Sequence, residues 1–157
     1  MSIEPKNQVT HDQALPLENL LAHRFSRTHA RLSAHVTQIL KQHGDLTKMQ
    51  WRILLVLDHL DESSVTQLVR VTQLDKALIS RTVRGMLDRG LLTSEANSKD
   101  MRVQILRMTD TGRTAYETAA PHVRQWHTDL HNTLTEEERQ TFYRVNEKIE
   151  KLCDEAG

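Results

Sequence analysis

Apolar residues recur at helical spacing between positions 17 and 42, and this pattern predicts a long first helix with one apolar face. The members of that face are Leu17, Leu20, Leu21, Phe25, Leu32, Val36, Ile39 and Leu40. Gly44 is expected to cap the end of the helix, because glycine readily takes the left-handed conformation found at helix C-termini. A helix of this length in a short chain indicates a scaffold or a dimerisation element.

A second helix is predicted to begin after Thr47. In the segment Thr47–Gln50 the threonine hydroxyl can accept a free backbone N–H while the glutamine side chain reaches back, which is a capping box. A polar break at residues 61–63 is expected to end the helix. Its predicted buried face consists of Trp51, Leu54, Leu57 and Leu60.

The next segment predicts a helix-turn-helix. A second capping box, Ser64–Gln67, opens a short helix through Val71, and a tight connection leads to Asp75, a good N-cap for a helix ending near Arg89. Gly90 closes that helix, and two short helices joined by three residues are the signature of the motif. The residues expected to face inward are Val65, Leu68, Val69, Ile79, Val83, Met86 and Leu87.

After Gly90 the pattern changes from helix to strand. Residues 91–93 and 103–106 are short and rich in branched aliphatics, and they flank a polar loop, Asn97–Arg102. This arrangement predicts a two-stranded hairpin, a wing, directly after the helix-turn-helix.

Two further helices are predicted at the C-terminal end. Thr109 caps a helix from Asp110 to about His131, which Pro121 is expected to kink or divide. Thr135–Glu138 forms a third capping box before a final helix. Its apolar stripe is Phe142, Val145, Ile149 and Leu152. Since the small central module cannot cover the stripes of the flanking helices, a partner subunit is expected.

The predicted fold class is therefore mainly α with a small β-hairpin wing: a winged helix-turn-helix domain flanked by dimerisation helices. The winged helix-turn-helix occupies residues 46–109, and the helical dimerisation region residues 17–45 and 110–157. Residues 1–16 are polar and lack an apolar run, so they are expected to form a flexible arm and not a signal peptide.

Composition narrows the possible functions. The 157 residues contain one cysteine, and no apolar stretch approaches the roughly 20 residues that span a bilayer. These features predict a cytoplasmic protein that is not embedded in a membrane. The chain has no net charge, but residues 75–107 carry seven bases and four acids, a net charge of +3, which leaves −3 for the remainder. Positive charge is thus concentrated where a DNA-reading element requires it.

With these elements in order, the sequence resembles the MarR family of transcriptional regulators over nearly its whole length. The matching segments are Leu46–Arg52 at the entry to the second helix, Leu74–Leu87 as the recognition helix, Arg89–Leu92 as its exit, Asp100–Arg102 as the D-x-R wing motif, and Met108–Gly112 as the L-T-x-x-G motif with Met for Leu. The resemblance implies a homodimer that binds a palindromic DNA operator and responds to a small ligand.

Two departures from the family pattern concern the predicted recognition helix. Ala77 stands where the family often has Ser or Thr, which removes a hydroxyl available for DNA. Gly85 costs the helix about 1 kcal/mol relative to Ala, so close packing against the wing or a neighbouring helix is expected there.

The candidate DNA-binding residues lie in three segments. Arg81 and Arg84 are expected to contact DNA from the recognition helix, where arginine can read guanine; the bland alternative is a solvated helix face. Thr66 and Gln67 are placed to reach phosphates. Arg102 is expected to enter the minor groove while Asp100 steadies the wing, or else the two form an ordinary ion pair. The full set is Thr66, Gln67, Lys76, Ala77, Ser80, Arg81, Arg84, Lys99, Asp100 and Arg102.

A ligand pocket is a further hypothesis. The resemblance places the start of the second helix beside a crevice between the DNA-binding and dimer lobes. Trp51 with Arg31 and His35 would then suit a small aromatic acid or phenol, although a large aromatic residue more often serves packing.

Other functions find little support in the residues. His127 and His131 are one helical turn apart but lack further ligands, so no metal or cofactor is predicted, and Cys153 is expected to be nonreactive. No Gly-rich phosphate loop, G-x-S-x-G motif or nucleophile–base set indicates an enzyme. A helical adaptor that binds proteins would explain the amphipathic helices but not the wing with its bases.

Overall fold

The computed structural model describes residues 20–155. The predicted arm, residues 1–16, lies outside the described residues, as does the predicted helix start at Leu17. The described elements are α1 (Leu21–Gly44), α2 (Lys48–Leu60), β1 (Glu62–Ser64), α3 (Val65–Thr72), α4 (Lys76–Asp88), β2 (Leu92–Ala96), β3 (Gln104–Met108), α5 (Asp110–Asn132) and α6 (Glu136–Glu155). The predicted class is confirmed: mainly helical, with the helix-turn-helix α3–α4 followed by a β wing.

The chain divides into two compact units, one ending at Gln38 and the other beginning at Ile39. The described part of the first unit is helical and belongs to α1 from Leu21 onward. The second unit contains the end of α1 and all later elements. The functional division proposed from the sequence, 46–109 for DNA binding and the flanks for dimerisation, stays a prediction.

The predicted N-caps are confirmed, but the predicted box at Ser64–Gln67 is only half formed: Ser64 accepts the Gln67 N–H, and the described residues show no return bond from the Gln67 side chain. At each cap a Thr, Ser or Asp oxygen accepts the backbone N–H of the residue three positions later, which satisfies one of the free donors at a helix start. These bonds join Gln50 N to Thr47 Oγ1 (3.2 Å), Gln67 N to Ser64 Oγ (3.2 Å), Leu78 N to Asp75 Oδ1 (2.8 Å), Gly112 N to Thr109 Oγ1 (3.0 Å) and Glu138 N to Thr135 Oγ1 (3.3 Å). The side chains of Gln50 and Glu138 complete their boxes by accepting the N–H of Thr47 and Thr135.

The end of α1 corrects the prediction for Gly44. Gly44 is the last residue of the helix, and Asp45 takes the left-handed conformation, with φ +47°. Gly44 instead allows close packing, since a Cβ there would lie 2.7 Å from the Ala115 carbonyl oxygen and 3.1 Å from Ala119 Cβ. The glycine is required by the approach of α5 and not by its own backbone angles.

The sheet has three strands and not the predicted two. The strands are antiparallel in the order β1-β3-β2, and the third is β1, which arises from the predicted polar break. Ser63 pairs with Leu106 and is buried. β1 forms because it pairs with β3, a strand that is distant in sequence. Its own residues show no apolar alternation, so the sequence does not predict a strand there.

The core of the second unit lies where α2, α3 and α4 meet the sheet. Its fully buried side chains include Leu54, Leu57, Leu68, Ile79, Met86 and Leu106. The predicted face of α2 is partly wrong: Ile53 and Gln50 are buried, whereas Trp51 and Leu60 are half-buried. The reason is that α2 contacts α3, α4, α5 and two strands, so its buried face is rotated relative to the predicted one. Val65, Val69 and Leu87, also predicted as buried, are half-buried.

The two C-terminal helices differ in how they are covered. α5 runs without interruption through Pro121, so the predicted restart is wrong; the buried residues Ala119, Ala120 and Val123 anchor the helix on both sides of the proline. α6 has no buried residue between Glu136 and Glu155. Within residues 20–155, none of the helices has the length and apolar character needed to cross a membrane.

Candidate nucleic-acid interface

The outer face of α4 is the first part of the candidate interface. Ile79, Val83 and Met86 fix the helix in the core, where it packs against α2, α3 and β2. The opposite face carries the residues predicted to contact DNA, and all five are exposed: Lys76, Ala77, Ser80, Arg81 and Arg84. A helix held on one side by apolar packing therefore presents two arginines and a lysine outward.

Gly85 does not have the packing role predicted for it. A Cβ at this position would have no heavy atom within 4 Å, so the described residues leave open space beside the glycine. Its φ is also not in the left-handed range, unlike that of Gly90, which is +66°. Nothing in the structure explains the glycine.

The seven basic residues between positions 75 and 107 divide into two groups. Within residues 20–155, Arg89 and Arg107 form ion pairs with carboxylates. The side chains of the other five are exposed and have no ion pair or hydrogen bond there: Lys76, Arg81, Arg84, Lys99 and Arg102. The five unpaired bases are those that the sequence predicts to contact DNA. The two paired bases are not among the predicted DNA contacts.

Arg89 ties the end of α4 to the junction between α1 and α2. Its Nη2 lies 2.8 Å from Asp45 Oδ2 and donates to the Asp45 carbonyl oxygen at 3.0 Å, while Nη1 donates to Gln50 Oε1 at 3.3 Å. Gln50 is buried and also accepts from the Thr47 N–H, so one amide oxygen joins a helix cap to the end of α4. This network attaches the end of α4 to the start of α2.

The wing loop is held by its own backbone and two short side chains. Asn97 Oδ1 accepts the N–H of Lys99 at 2.7 Å and of Asp100 at 3.3 Å. Asp100 Oδ1 accepts the N–H of Arg102 at 3.0 Å. Asp100 thus holds the backbone of Arg102 and not its guanidinium group, which rules out the ordinary ion pair as the arrangement in this structure.

At the start of α3 the two predicted phosphate contacts differ. Thr66 is exposed, whereas Gln67 is half-buried. The backbone N–H of Gln67 donates to Ser64 Oγ, as expected at a helix cap. The predicted phosphate contacts of Thr66 and Gln67 stay a prediction, with the Gln67 side chain as the donor that the cap leaves available.

Arg107 is a feature that sequence reasoning missed. It lies on the central strand β3, and its guanidinium pairs with Glu62 on β1 and with Glu95 on β2, the latter at 2.9 Å. Its hydrogen bond to Glu62, followed by the charge of that carboxylate, raises the pKa of Arg107. Sequence reasoning missed this contact because it did not predict β1. Glu62 and Arg107 are 45 positions apart, and only the pairing of β1 with β3 brings them together.

The predicted ligand residues belong to different units. Arg31 and His35 are exposed on the part of α1 in the first unit, and Trp51 is half-buried on α2 in the second. One face of Trp51 stacks on the buried Tyr116, with ring centroids 4.9 Å apart and an interplanar angle of 20°. Burial, followed by a hydrogen bond with Asp58, raises the pKa of Tyr116. The ligand pocket stays a prediction.

The remaining candidates for chemistry are surface residues. His127 and His131 are exposed, and Cys153 is an exposed free thiol. Among residues 20–155, no group of three or more His, Cys, Asp or Glu side chains is arranged to hold a metal ion.

Comparison with known proteins places the fold. Residues 44–102 match the model of the MarR family. The transcriptional repressor IacR of Pseudomonas putida is 27% identical over 80% of this chain and 74% of its own. Three curated relatives, all transcriptional regulators, are matched over 61% to 74% of their lengths, so the chain spans less than two thirds of some of them.

Solved structures give the same fold at lower identity. BpsR of Bordetella bronchiseptica, whose DNA binding is described as regulated by 6-hydroxynicotinic acid, has a TM-score of 0.74 at 22% identity, over 88% of this chain and 98% of that one. A mutant of MarR from E. coli in complex with operator DNA has a TM-score of 0.65 at 19% identity, over 80% and 93% of the two chains.

Proposed function

Since residues 44–102 of this chain match the model of the MarR family and the fold is that of winged helix-turn-helix regulators, we propose that the chain is a member of this family: a cytoplasmic homodimer that binds a palindromic operator, represses transcription and is released by a small ligand. Because its family and relatives are transcriptional regulators, the chain is not an enzyme. One observation carries the proposal. Five exposed, unpaired bases lie on α4 and the wing, while the other two bases of residues 75–107 form ion pairs with carboxylates.

α4 is the proposed recognition helix. In helix-turn-helix proteins the second helix enters the major groove, and arginine forms paired hydrogen bonds with guanine O6 and N7. Arg81 and Arg84 are exposed on that face and fill this role, with Lys76 and Ser80 near the helix start, where Ala77 adds only a methyl group.

Arg102 is the proposed minor-groove contact. The wing places it next to Asp100, whose carboxylate holds the Arg102 backbone N–H at 3.0 Å and leaves the guanidinium unpaired. A/T-rich tracts have a narrow minor groove with a strong negative potential, which attracts such an arginine. Lys99 at the same loop, and Thr66 and the Gln67 side chain on α3, are assigned to phosphates.

A second copy of the chain is the proposed cover for α6. The stripe on this helix leaves 52% of Phe142, 43% of Val145 and 66% of Leu152 exposed in the single chain. Contiguous exposed apolar residues of this kind mark interaction surfaces. A two-fold dimer would present two α4 helices, which accounts for a palindromic operator.

Release by an aromatic ligand is the regulatory part of the proposal. Its support is the aromatic acid named for BpsR, together with the cation, imidazole and indole that Arg31, His35 and Trp51 would offer such a ligand. A ligand shifts the protein only if it prefers the form that does not fit the operator. Such a ligand would bind the dimer with its two α4 helices at the wrong spacing.

The test is footprinting on the promoter next to the protein's own gene. A symmetric protected site, with half-site centres about 10 base pairs or a multiple of the helical turn apart, is the expected result. Binding without sequence preference, or a single unsymmetrical site, would overturn the proposal. A protein that shifted no DNA but captured another protein through α6 would be an adaptor, the alternative that the exposed stripe favours.

A further inference from the structure

We infer that Arg107 is a positioning residue for the wing: by pairing with Glu62 on β1 and Glu95 on β2 it fixes the wing hairpin relative to the strand that leads into the helix-turn-helix. These three side chains are called the Arg107 clamp below. The inference rests on the proposed DNA-binding function, but one of its tests needs no DNA.

The sheet register explains how one arginine reaches both outer strands. Arg107 is directly opposite Glu62 on β1 and opposite Thr93 on β2. Glu95 is two residues beyond Thr93 on the same face, because side chains alternate along a strand. Arg107 therefore spans the central strand, with Nη2 bonded to Glu62 and Nη1 to Glu95 at 2.9 Å. The planar guanidinium with its fixed fork of donors suits two carboxylates at once.

The clamp connects two parts of the proposed DNA-binding surface. β1 follows directly on α2 and is followed at once by α3, whose N-cap is Ser64. β2 continues into the wing loop with Lys99 and Arg102. Glu62 thus belongs to the entry of the helix-turn-helix, and Glu95 to the strand that carries the wing.

The clamp and the wing loop line the same surface depression. It has a volume of about 360 Å³, and its lining includes Glu62, Glu95, Asn97, Ser98, Lys99 and Arg107. The clamp thus lies next to the loop whose direction we infer it helps to set.

The charge of the clamp argues against Arg107 as a DNA contact. One guanidinium and two carboxylates sum to −1, and both terminal nitrogens are occupied. The five unpaired bases contrast with it, since each has its donors available for phosphates or bases. Arg107 acts on DNA only through the position of the wing bases Lys99 and Arg102.

Arg107→Met removes the clamp, and Arg113→Met is its matched control. Arg113 is similarly exposed, 43% against 45%, and also faces two carboxylates, Asp58 at 3.1 Å and Glu117 at 3.9 Å, but it joins α5 to α2. Arg107→Met should weaken operator binding about tenfold, the loss expected when a contact must be ordered on binding. Arg113→Met should leave it within about twofold.

A double-mutant cycle tests whether the effect passes through the wing tip. In a background that lacks both wing bases, Lys99→Ala with Arg102→Ala, Arg107→Met should have no further effect, because no positioned contact of the wing loop is left to lose. Equal tenfold losses in both backgrounds would overturn the inference. Glu62→Gln should also weaken binding, although removing a negative charge next to DNA ought otherwise to strengthen it. Stronger binding by Glu62→Gln, or a salt slope that falls by about one in Arg107→Met, would make Arg107 a phosphate contact instead.

Hydrogen exchange of the free protein keeps the inference testable without an operator. Amides of residues 97–103 should exchange faster in Arg107→Met than in the wild type and in Arg113→Met, because local opening reports the loss of local constraint. Unchanged exchange there would overturn the inference. If the wild type bound no DNA, the proposed function would fail, and faster exchange would still support the clamp.

Discussion

Gly112 lies against the carbonyl oxygen of Leu91: a Cβ built on the glycine would be 2.1 Å from that oxygen and 3.0 Å from Met108 Cγ. The nearest atom is backbone, which cannot turn aside as a side chain can. Thr109, which caps α5, also donates to the Gly90 carbonyl at 2.6 Å. The start of α5 is thus locked to the chain that leaves α4, which gives a structural reason for the glycine in the T-x-x-G segment.

Gly112→Ala should therefore destabilise the fold by about 1 to 3 kcal/mol, the usual cost of overpacking. Urea unfolding followed by circular dichroism measures it, as a lower midpoint at an unchanged slope. A midpoint equal to that of the wild type would show that α5 can move away from Leu91 at little cost.

Gly85→Ala should do the opposite. The site is open, it lies inside α4, and alanine gains up to about 1 kcal/mol over glycine in a helix. The same urea titration should show a higher midpoint, so Gly85 and Gly112 serve as controls for each other. A destabilised Gly85→Ala would mean that something absent from the single chain, such as a second copy, packs there.

Arg81→Ala and Arg102→Ala should weaken operator binding in different ways. Arg81 is assigned to a base edge, so its loss should cost about 1 to 3 kcal/mol and relax preference at one position in each half-site. Arg102 is assigned to the minor groove, so its loss should matter most where the flank is A/T-rich and leave the preferred half-site bases unchanged. Titration against operators with single substitutions in half-site and flank separates the two.

Asp100→Ala is the companion variant for the wing. It should reproduce part of the Arg102→Ala loss, because it releases the Arg102 N–H and leaves the guanidinium to be ordered on binding. Intact affinity in Arg102→Ala, or intact base preference in Arg81→Ala, would contradict the winged mode of docking.

The dimer interface is tested on α6. Val145→Glu places a charge in the apolar stripe and should weaken dimerisation by about 2 kcal/mol, roughly thirtyfold in Kd. Lys148→Glu, on the same helix but outside the stripe, is the control. Sedimentation at several protein concentrations measures the dimer Kd of both variants. The same measurement is made on a chain truncated after Leu134. A truncated chain that stayed a folded dimer would move the interface elsewhere.

Aromatic ligands should act through Trp51 and Arg31. A panel of benzoate derivatives should weaken operator binding by the wild type, and Arg31→Ala or Trp51→Ala should lower this response more than it lowers affinity for DNA. The loss of the stack on Tyr116 makes thermal stability a necessary control for Trp51→Ala. Equal release of all three proteins by every compound would exclude this site.

The sequence predicted best what depends on nearby residues. The caps at Thr47, Asp75 and Thr135 each bond to a residue three positions later in the chain. Both partners are therefore visible in a short stretch of sequence. The same holds for the exposed bases of α4, which follow from the inward turn of Ile79, Val83 and Met86.

Features set by distant parts of the chain could not be predicted in this way. β1 exists because Ser63 pairs with Leu106, and the Arg107 clamp exists because β1 does. Gly44 was assigned to a cap from its local position, whereas the packing of α5 explains it. Gly85 shows the converse: a glycine that costs helix stability suggests a tertiary reason, but the open space beside it shows that the described residues supply none.

The strand order β1-β3-β2 also bears on how the protein is made. On the ribosome β1 and β2 emerge before β3, and both outer strands must wait for the central one before they have a partner. The helix-turn-helix between them is therefore synthesised while the ends of its supporting sheet are still open. Unpaired strand edges are prone to association with other chains. A chain that stalls before Gln104 should be a target for chaperones and proteases, whereas one that stalls after Met108 has a closed sheet.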